Sequence, residues 1–353
     1  MKNKKSMLFI FPVSTQPRYA RRIRQHQNEG AQITVASFER DYFSKNTLPD
    51  NIKYVSLGKL SSGGYIKRIP RILKVISRLV KLSKSNDIIF IFSADILIFL
   101  SPFLPKRKVW YEIGDIRKFS PNRFINRVYE LIYGITLNRV SAVFVTSVGF
   151  KDYIIAQYGL KKERIRIIEN KLQKEIFSDK PHLEFSGLSK ADFTIGIIGL
   201  LRYENILNFI KAYKNSSASY SIAIYGDGPL RKEIEPYVDN NKIKFYGQFK
   251  YPDDLESIYE SIDLSFTMYD SEDQNVRLAL PNKLYESMYF KKPILVSKGT
   301  YLEERVMADA IGFSWDQKDM DGLVAYLDSD TFINDYNSLE NSFNYITKSQ
   351  YLS

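Results

Sequence analysis

Short apolar runs of strand length alternate with helical stretches along most of the chain, and the alternation breaks down once, near the middle. Residues 7–13, 33–37, 52–57, 87–93, 108–113, 142–146 and 164–168 have the length and the β-branched or aromatic content of buried strands. Helices are expected between several of them: 18–29 closed by Gly30, 70–82 opened near Pro70, 122–138, and 150–158 closed by Gly159. Residues 176–191 lose all periodicity and collect Ser, Asp, Pro, His and Gly, as a linker does. A second series follows, with strands at 193–198, 220–225, 243–246, 263–268 and 294–297. Its helices are expected at 205–214, up to 238, at 255–261, from Pro281-Asn282 to Lys292-Pro293, and at 319–328. Alternation of this kind builds a parallel sheet covered by helices. We therefore expect an α/β chain of two doubly wound domains, 1–175 and 192–330, joined by 176–191. The tail, 331–353, is in a position to pack back on the N-terminal domain.

Composition removes several chemistries. The chain has no cysteine and two histidines, His26 and His182, which excludes disulfides, thiol catalysis and a cysteine- or histidine-rich metal centre. No metal or resident cofactor is expected. The apolar run after the basic N-terminus is about five residues, too short for an export signal. The apolar stretches of residues 88–105 are interrupted by Asp95 and two prolines and fall short of the roughly 20 residues that a membrane span requires. A cytoplasmic protein is expected.

Charge is unevenly placed. Residues 1–120 hold 23 Lys/Arg against 8 Asp/Glu, a net of +15, within a chain whose total is +11. Such a surface suits an anionic partner. In the 70–82 helix, Lys67, Arg71, Lys74, Arg78 and Lys81 recur at offsets of three and four, with no acidic residue from Tyr65 to Lys84. That stripe can lie on an anionic bilayer; equally, it can be the basic outer face of a helix that covers a sheet. Nucleic acid is set aside, because no RNA-binding aromatic motif or basic–zipper pattern accompanies the charge.

The polar residues of interest cluster after the linker: Ile197-Ile-Gly-Leu-Leu-Arg202, Ile224-Tyr-Gly-Asp-Gly-Pro-Leu230, Phe245-Tyr-Gly247, Ile262-Asp-Leu264, Pro281-Asn-Lys-Leu-Tyr-Glu286 and Lys292-Pro-Ile-Leu-Val-Ser297. Leu284, Tyr285, Met288 and Tyr289 form an apolar helical stripe, with Asn282 and Glu286 on the other face. In order and spacing these pieces resemble the donor-binding domain of glycosyltransferases with two Rossmann-like domains (GT-B), and above all the bacterial enzymes of capsular and surface polysaccharide synthesis. Val109–Arg117, Val143–Ser147 and Ile167–Asn170 look like segments of the acceptor-side domain.

The resemblance implies two parallel sheets facing a central cleft that holds a nucleoside diphosphate sugar, with a UDP-sugar as the expected donor. It implies that Glu286 meets the ribose hydroxyls, and that the backbone at Gly199 approaches the diphosphate beside Arg202. Gly226, Gly228 and Gly247 would shape the nucleoside pocket, with Asn275 and Asn282 nearby. Negative charge grows on the leaving phosphate, so Arg202, Lys283 and the amides of residues 282–284 are the expected stabilisers. One departure stands out: many retaining members carry a glutamate eight positions before Glu286, where this chain has Leu278. Glu272, Asp273, Asn275 or Arg277 is left to reach the sugar, and Asp115 is the candidate to act as base or to orient the acceptor. The implied activity is transfer of a sugar to a hydroxyl of a glycan, carried on a polyprenyl lipid, by an enzyme at the inner face of the cell membrane. The alternatives are a sugar-nucleotide epimerase and a non-catalytic binding subunit.

Overall fold

The computed structural model describes residues 5–13, 16–39, 48–49, 51–60, 65–116, 122–177, 183–189 and 193–353. The chain divides into two compact units, Met1–Glu169 and Asn170–Ser353, a division that falls ahead of the expected linker. His182 and the side chain of Lys67 lie outside the described residues.

The first unit is built on β1 (Ser6–Phe11), β2 (Gln32–Glu39), β3 (Lys53–Lys59), β4 (Ile88–Ile91), β5 (Val109–Ile113), β6 (Ala142–Val145) and β7 (Ile165–Ile167). All pair in parallel in the order β3-β2-β1-β4-β5-β6-β7. β1 and β4 are buried almost throughout because helices cover both faces, which is why they read as unbroken apolar runs. Phe9, Phe11, Tyr19, Phe90 and Phe92 form an aromatic core, with the rings of Phe11 and Tyr19 4.2 Å apart.

Beneath the helix Pro17–Asn28 lies a buried ion pair. Arg22 Nε meets Glu112 at 2.7 Å, and Arg22 also donates to the carbonyl of Ile168 (3.0 Å). Both side chains are within 2% of full burial. Removing one partner strands a charge out of water, so Arg22→Met should cost about 3–5 kcal/mol of stability, whereas Arg22→Met with Glu112→Leu should recover most of it. Urea unfolding of the three proteins checks this; equal losses in the single and double variants would contradict it.

The basic helix departs from expectation at its start. It runs from Tyr65 to Lys84, so Pro70 sits inside it and does not open it. Burial of Ile72 and Leu79, with the Arg68–Asp95 pair at 3.7 Å, offsets the backbone bond that proline removes. Arg71 and Arg78 turn back on β3, donating to the carbonyls of Lys59 (2.6 Å) and Ser56 (2.9 Å), while Lys74 and Lys81 are exposed.

The second unit holds β8 (Thr194–Leu200), β9 (Ser221–Asp227), β10 (Ile243–Gly247), β11 (Leu264–Thr267), β12 (Ile294–Ser297) and β13 (Gly312–Trp315), parallel in the order β10-β9-β8-β11-β12-β13. The chain reverses direction across the sheet between β8 and β11, and a switch point of this kind opens a crevice at the carboxyl ends of its two strands. The helix Tyr301–Ala308 and the edge strand β13 were not expected from sequence. The tail, expected to pack back on residues 1–175, meets them at Leu172 and Lys174 but lies mostly within the second unit. Its helices Asp330–Ser338, Glu340–Tyr345 and Lys348–Tyr351 belong to the second unit's own core. Phe332 and Tyr336 pack with Phe193, Phe343 and Tyr351 join the cluster around Tyr289, and Leu352 pairs with Leu172. Four buried aromatic anchors hold it there.

Candidate active site

Glycines build the floor of the crevice. β8 and β9 run in register so that Gly199 faces Gly226, at φ of +123° and +150°. A Cβ on Gly226 would stand 1.8 Å from the Gly199 carbonyl oxygen, and one on Gly228 would stand 2.4 Å from that of Leu201. Only glycine allows backbones this close. The two turns are stitched together by Leu201 N–H to Asp227 O and Leu230 N–H to Leu201 O, each 3.0 Å. Asp227 accepts from the Gly228 amide (2.8 Å) and from Gln248 (3.1 Å), and these contacts hold its carboxyl below the usual range, the amide contributing most.

Arg202 follows β8. It is exposed and lies over the ring of Tyr203, 4.6 Å from its centroid, with its guanidinium also hydrogen-bonded to the Tyr203 hydroxyl. Tyr203 in turn packs on Tyr269, which follows β11, at 4.9 Å. Beside Arg202 is a polar cavity of about 810 Å³ that Asp270, Glu272 and Gln317 also line. Gln317 ties its walls together, accepting from Asn205 (2.9 Å) and from the Ser271 amide (2.8 Å).

The carboxylate comes from the helix Asn282–Tyr289. Pro281 is its cap residue, and Asn282 makes no capping bond. Asn282 and Glu286, expected together on the face opposite the apolar stripe, differ in burial. Asn282 is exposed and Glu286 is 2% exposed, because every residue from Lys283 to Tyr289 is enclosed. Helix packing against β11, β12 and the Lys348–Tyr351 helix accounts for this.

The burial leaves Glu286 half-satisfied. Its Oε2 accepts from Lys283 Nζ at 2.5 Å and from the Tyr259 hydroxyl at 2.9 Å. Its Oε1 accepts no hydrogen bond among the described residues. Lys283 is thus clasped by Glu286 and by the rings of Tyr259 and Phe249, 5.8 and 5.9 Å away. A buried ammonium needs a counter-charge, and Glu286 is three residues along the same helix. Tyr259 has its phenol pushed well up, by burial first and by Glu286 next. Tyr269 is also pushed up by burial, with Tyr203 and Glu286 adding and Arg202 opposing, so the anionic and cationic ends of the crevice are both within electrostatic reach of one ring.

Of the other expected residues, Asp273 caps a short helix by accepting from the Asn275 amide (2.7 Å), and Glu272 pairs with Lys318 at the surface (3.2 Å). Gly247 closes β10 at φ +75°. Asp115 is exposed beyond β5 in the first unit, where it helps raise the Arg18 pKa against the opposing effect of burial. Tyr259, Phe249 and Tyr269 were missed in the sequence. Tyr259 is 27 residues from the carboxylate it holds, and only the fold brings them together.

Comparison with known proteins agrees with this geometry. Residues 180–349 match the family Glycosyl transferases group 1. The O-antigen chain mannosyltransferase RfbU of Salmonella typhimurium is 30% identical over 114 residues, which span 32% of this chain and 30% of that protein. The chain follows the apo lipopolysaccharide outer core galactosyltransferase WaaB over 98% of its own length and 96% of that chain, at a TM-score of 0.67 and 13% identity. The chain has the GT-B fold, and its second half matches the group 1 glycosyl transferases. Anabaena HepE, solved with UDP, has the same fold at a TM-score of 0.65 and 16% identity, over 96% of this chain and 94% of HepE. No group of three or more His, Asp or Glu residues is placed to hold a metal ion among the described residues, and none of their helices is long and apolar enough to cross a membrane.

Proposed function

We propose that this transferase moves a sugar from a nucleoside diphosphate, UDP in the first instance, to a hydroxyl of a lipid-linked glycan during surface polysaccharide synthesis at the inner face of the cell membrane. The observation that carries this reading is the buried Glu286 carboxylate, anchored through one oxygen by Lys283 and Tyr259, in the unit whose strands β8 and β9 end in close-set glycines. A ribose presents two adjacent hydroxyl donors, and a preorganised carboxylate oxygen accepts them at little entropic cost.

In this reading the close-set backbone of Gly199, Gly226 and Gly228 lets the diphosphate approach, and Gly247 and Phe249 border the nucleoside. The Arg202 guanidinium faces the charge that grows on the leaving phosphate. Lys283 and Tyr259 act through Glu286, by holding its rotamer. Asn275 and Asn282 lie at the edge of the same site. Asp115 serves the acceptor hydroxyl, as base or as positioning group.

Calorimetric titration with UDP-, GDP- and dTDP-sugars, followed by mass spectrometry of a lipid-linked glycan incubated with each, tests the proposal. One nucleotide should bind, and its sugar should appear on the glycan as a single added hexose mass. If no nucleotide binds, the proposal is wrong.

A further inference from the structure

The helix Arg123–Leu137 is inside out for a helix that covers a sheet. Its apolar residues at i, i+4, i+7, i+8 and i+11 face solvent: Phe124 (76% exposed), Val128 (43%), Leu131 (67%), Ile132 (44%) and Ile135 (58%). The sheet side is held by Tyr133, Thr136 and Leu137. Asn122 caps the helix, accepting from the amides of Phe124 and Ile125, so the exposed stripe belongs to a well-formed element. A contiguous apolar face of this size on a single chain marks a contact surface.

Charge identifies what covers it. Arg123 and Arg127 flank the stripe, both exposed. The helix carries a single acid, Glu130, and that side chain is tied to Asn126 at 2.7 Å on the flank away from the stripe. The unit that bears the helix holds 31 Lys/Arg against 12 Asp/Glu, a net of +19, while the other unit is at −8. Two copies of so cationic a unit repel each other, whereas an anionic bilayer attracts it and offers apolar volume below its headgroups.

We infer that the Arg123–Leu137 helix is the element that seats this protein in an anionic lipid surface, its apolar stripe immersed to the headgroup–acyl boundary and its arginines at headgroup level. The basic helix Tyr65–Lys84, expected for this role, contributes long-range attraction only. Ile72 and Leu79 are fully buried, and Leu73 is its one large exposed apolar side chain among those described. The inference deepens the proposed function, since a lipid-linked acceptor requires the enzyme at a membrane, but its test does not depend on that function.

The full-length protein is sedimented with phosphatidylglycerol–phosphatidylethanolamine vesicles and with phosphatidylcholine vesicles. The parent should prefer the anionic vesicles and retain part of its binding in high salt. Leu131→Ser with Ile135→Ser should weaken partitioning at least about tenfold and abolish the salt-resistant part, with nucleotide binding unchanged. Lys74→Gln with Lys81→Gln should reduce only the salt-sensitive part. A tryptophan introduced as Leu131→Trp should be quenched by brominated lipid. Undiminished vesicle binding by the serine variant, or a parent dimer that this variant dissociates while vesicle binding persists, would overturn the inference. Failure of every nucleotide to bind would instead strike the proposed function and leave the vesicle result standing.

Discussion

Gly226→Ala should disrupt the second unit. Alanine would place a methyl group 1.8 Å from the carbonyl oxygen of Gly199, and that oxygen cannot swing aside because Gly199 is held in register on β8. The φ of +150° adds its own penalty for any residue with a side chain. Overpacking and backbone strain together amount to about 3–5 kcal/mol, which lowers the melting temperature of a unit this size by about 10 °C or more. Gly299→Ala is the control. Its φ is also positive, +77°, but nothing lies within 4 Å of the added methyl, so the cost should stay near about 1 kcal/mol. Thermal unfolding followed by circular dichroism separates the two. Equal shifts would mean that the close approach of β8 and β9 is not what requires glycine.

The second large effect is at Glu286. Glu286→Ala removes the acceptor proposed for two ribose hydroxyls and leaves the Lys283 ammonium, 11% exposed, without its counter-ion. Hydrogen bonds to a charged acceptor contribute about 1.5–3 kcal/mol each, so UDP affinity should fall about a hundredfold. Stability should fall as well, by about 3 kcal/mol, because an unpaired buried charge remains. Lys283→Met added to Glu286→Ala distinguishes the two losses. The double variant should regain most of the stability and none of the affinity. Recovery of affinity in the double variant would show that the single variant had merely unfolded the site.

How much of this was legible beforehand follows from where each signal resides. β1, β4 and β6 are continuous apolar runs buried on both faces, a pattern contained in the strand itself. The Asn122 and Ser147 caps are likewise local: a polar side chain bonds an amide two or three residues on, and helix starts near them could be read directly. β13 was hidden because Gly312–Trp315 is only partly buried and gives neither alternation nor an apolar run. The glycine turns could be read as turns, but the facing of Gly199 by Gly226 depends on strand register. Glu286 could be placed on a helix by its spacing from Leu284 and Met288. Its burial could not, since that comes from Tyr259 and from strands on either side of the helix. The apolar stripe of Arg123–Leu137 is periodic in sequence, yet periodicity alone does not say which face meets the sheet.

The central claim is that the second oxygen of Glu286, the one Lys283 and Tyr259 leave unclaimed, receives the ribose of the donor. A calorimetric cycle tests it most directly: UDP and 2′,3′-dideoxy-UDP titrated into the parent and into Lys283→Met/Glu286→Ala. The parent should lose about a hundredfold in affinity when the two hydroxyls are removed, and the double variant should bind both nucleotides alike. If the variant still discriminates between them as strongly as the parent does, the ribose is held elsewhere and the account is contradicted.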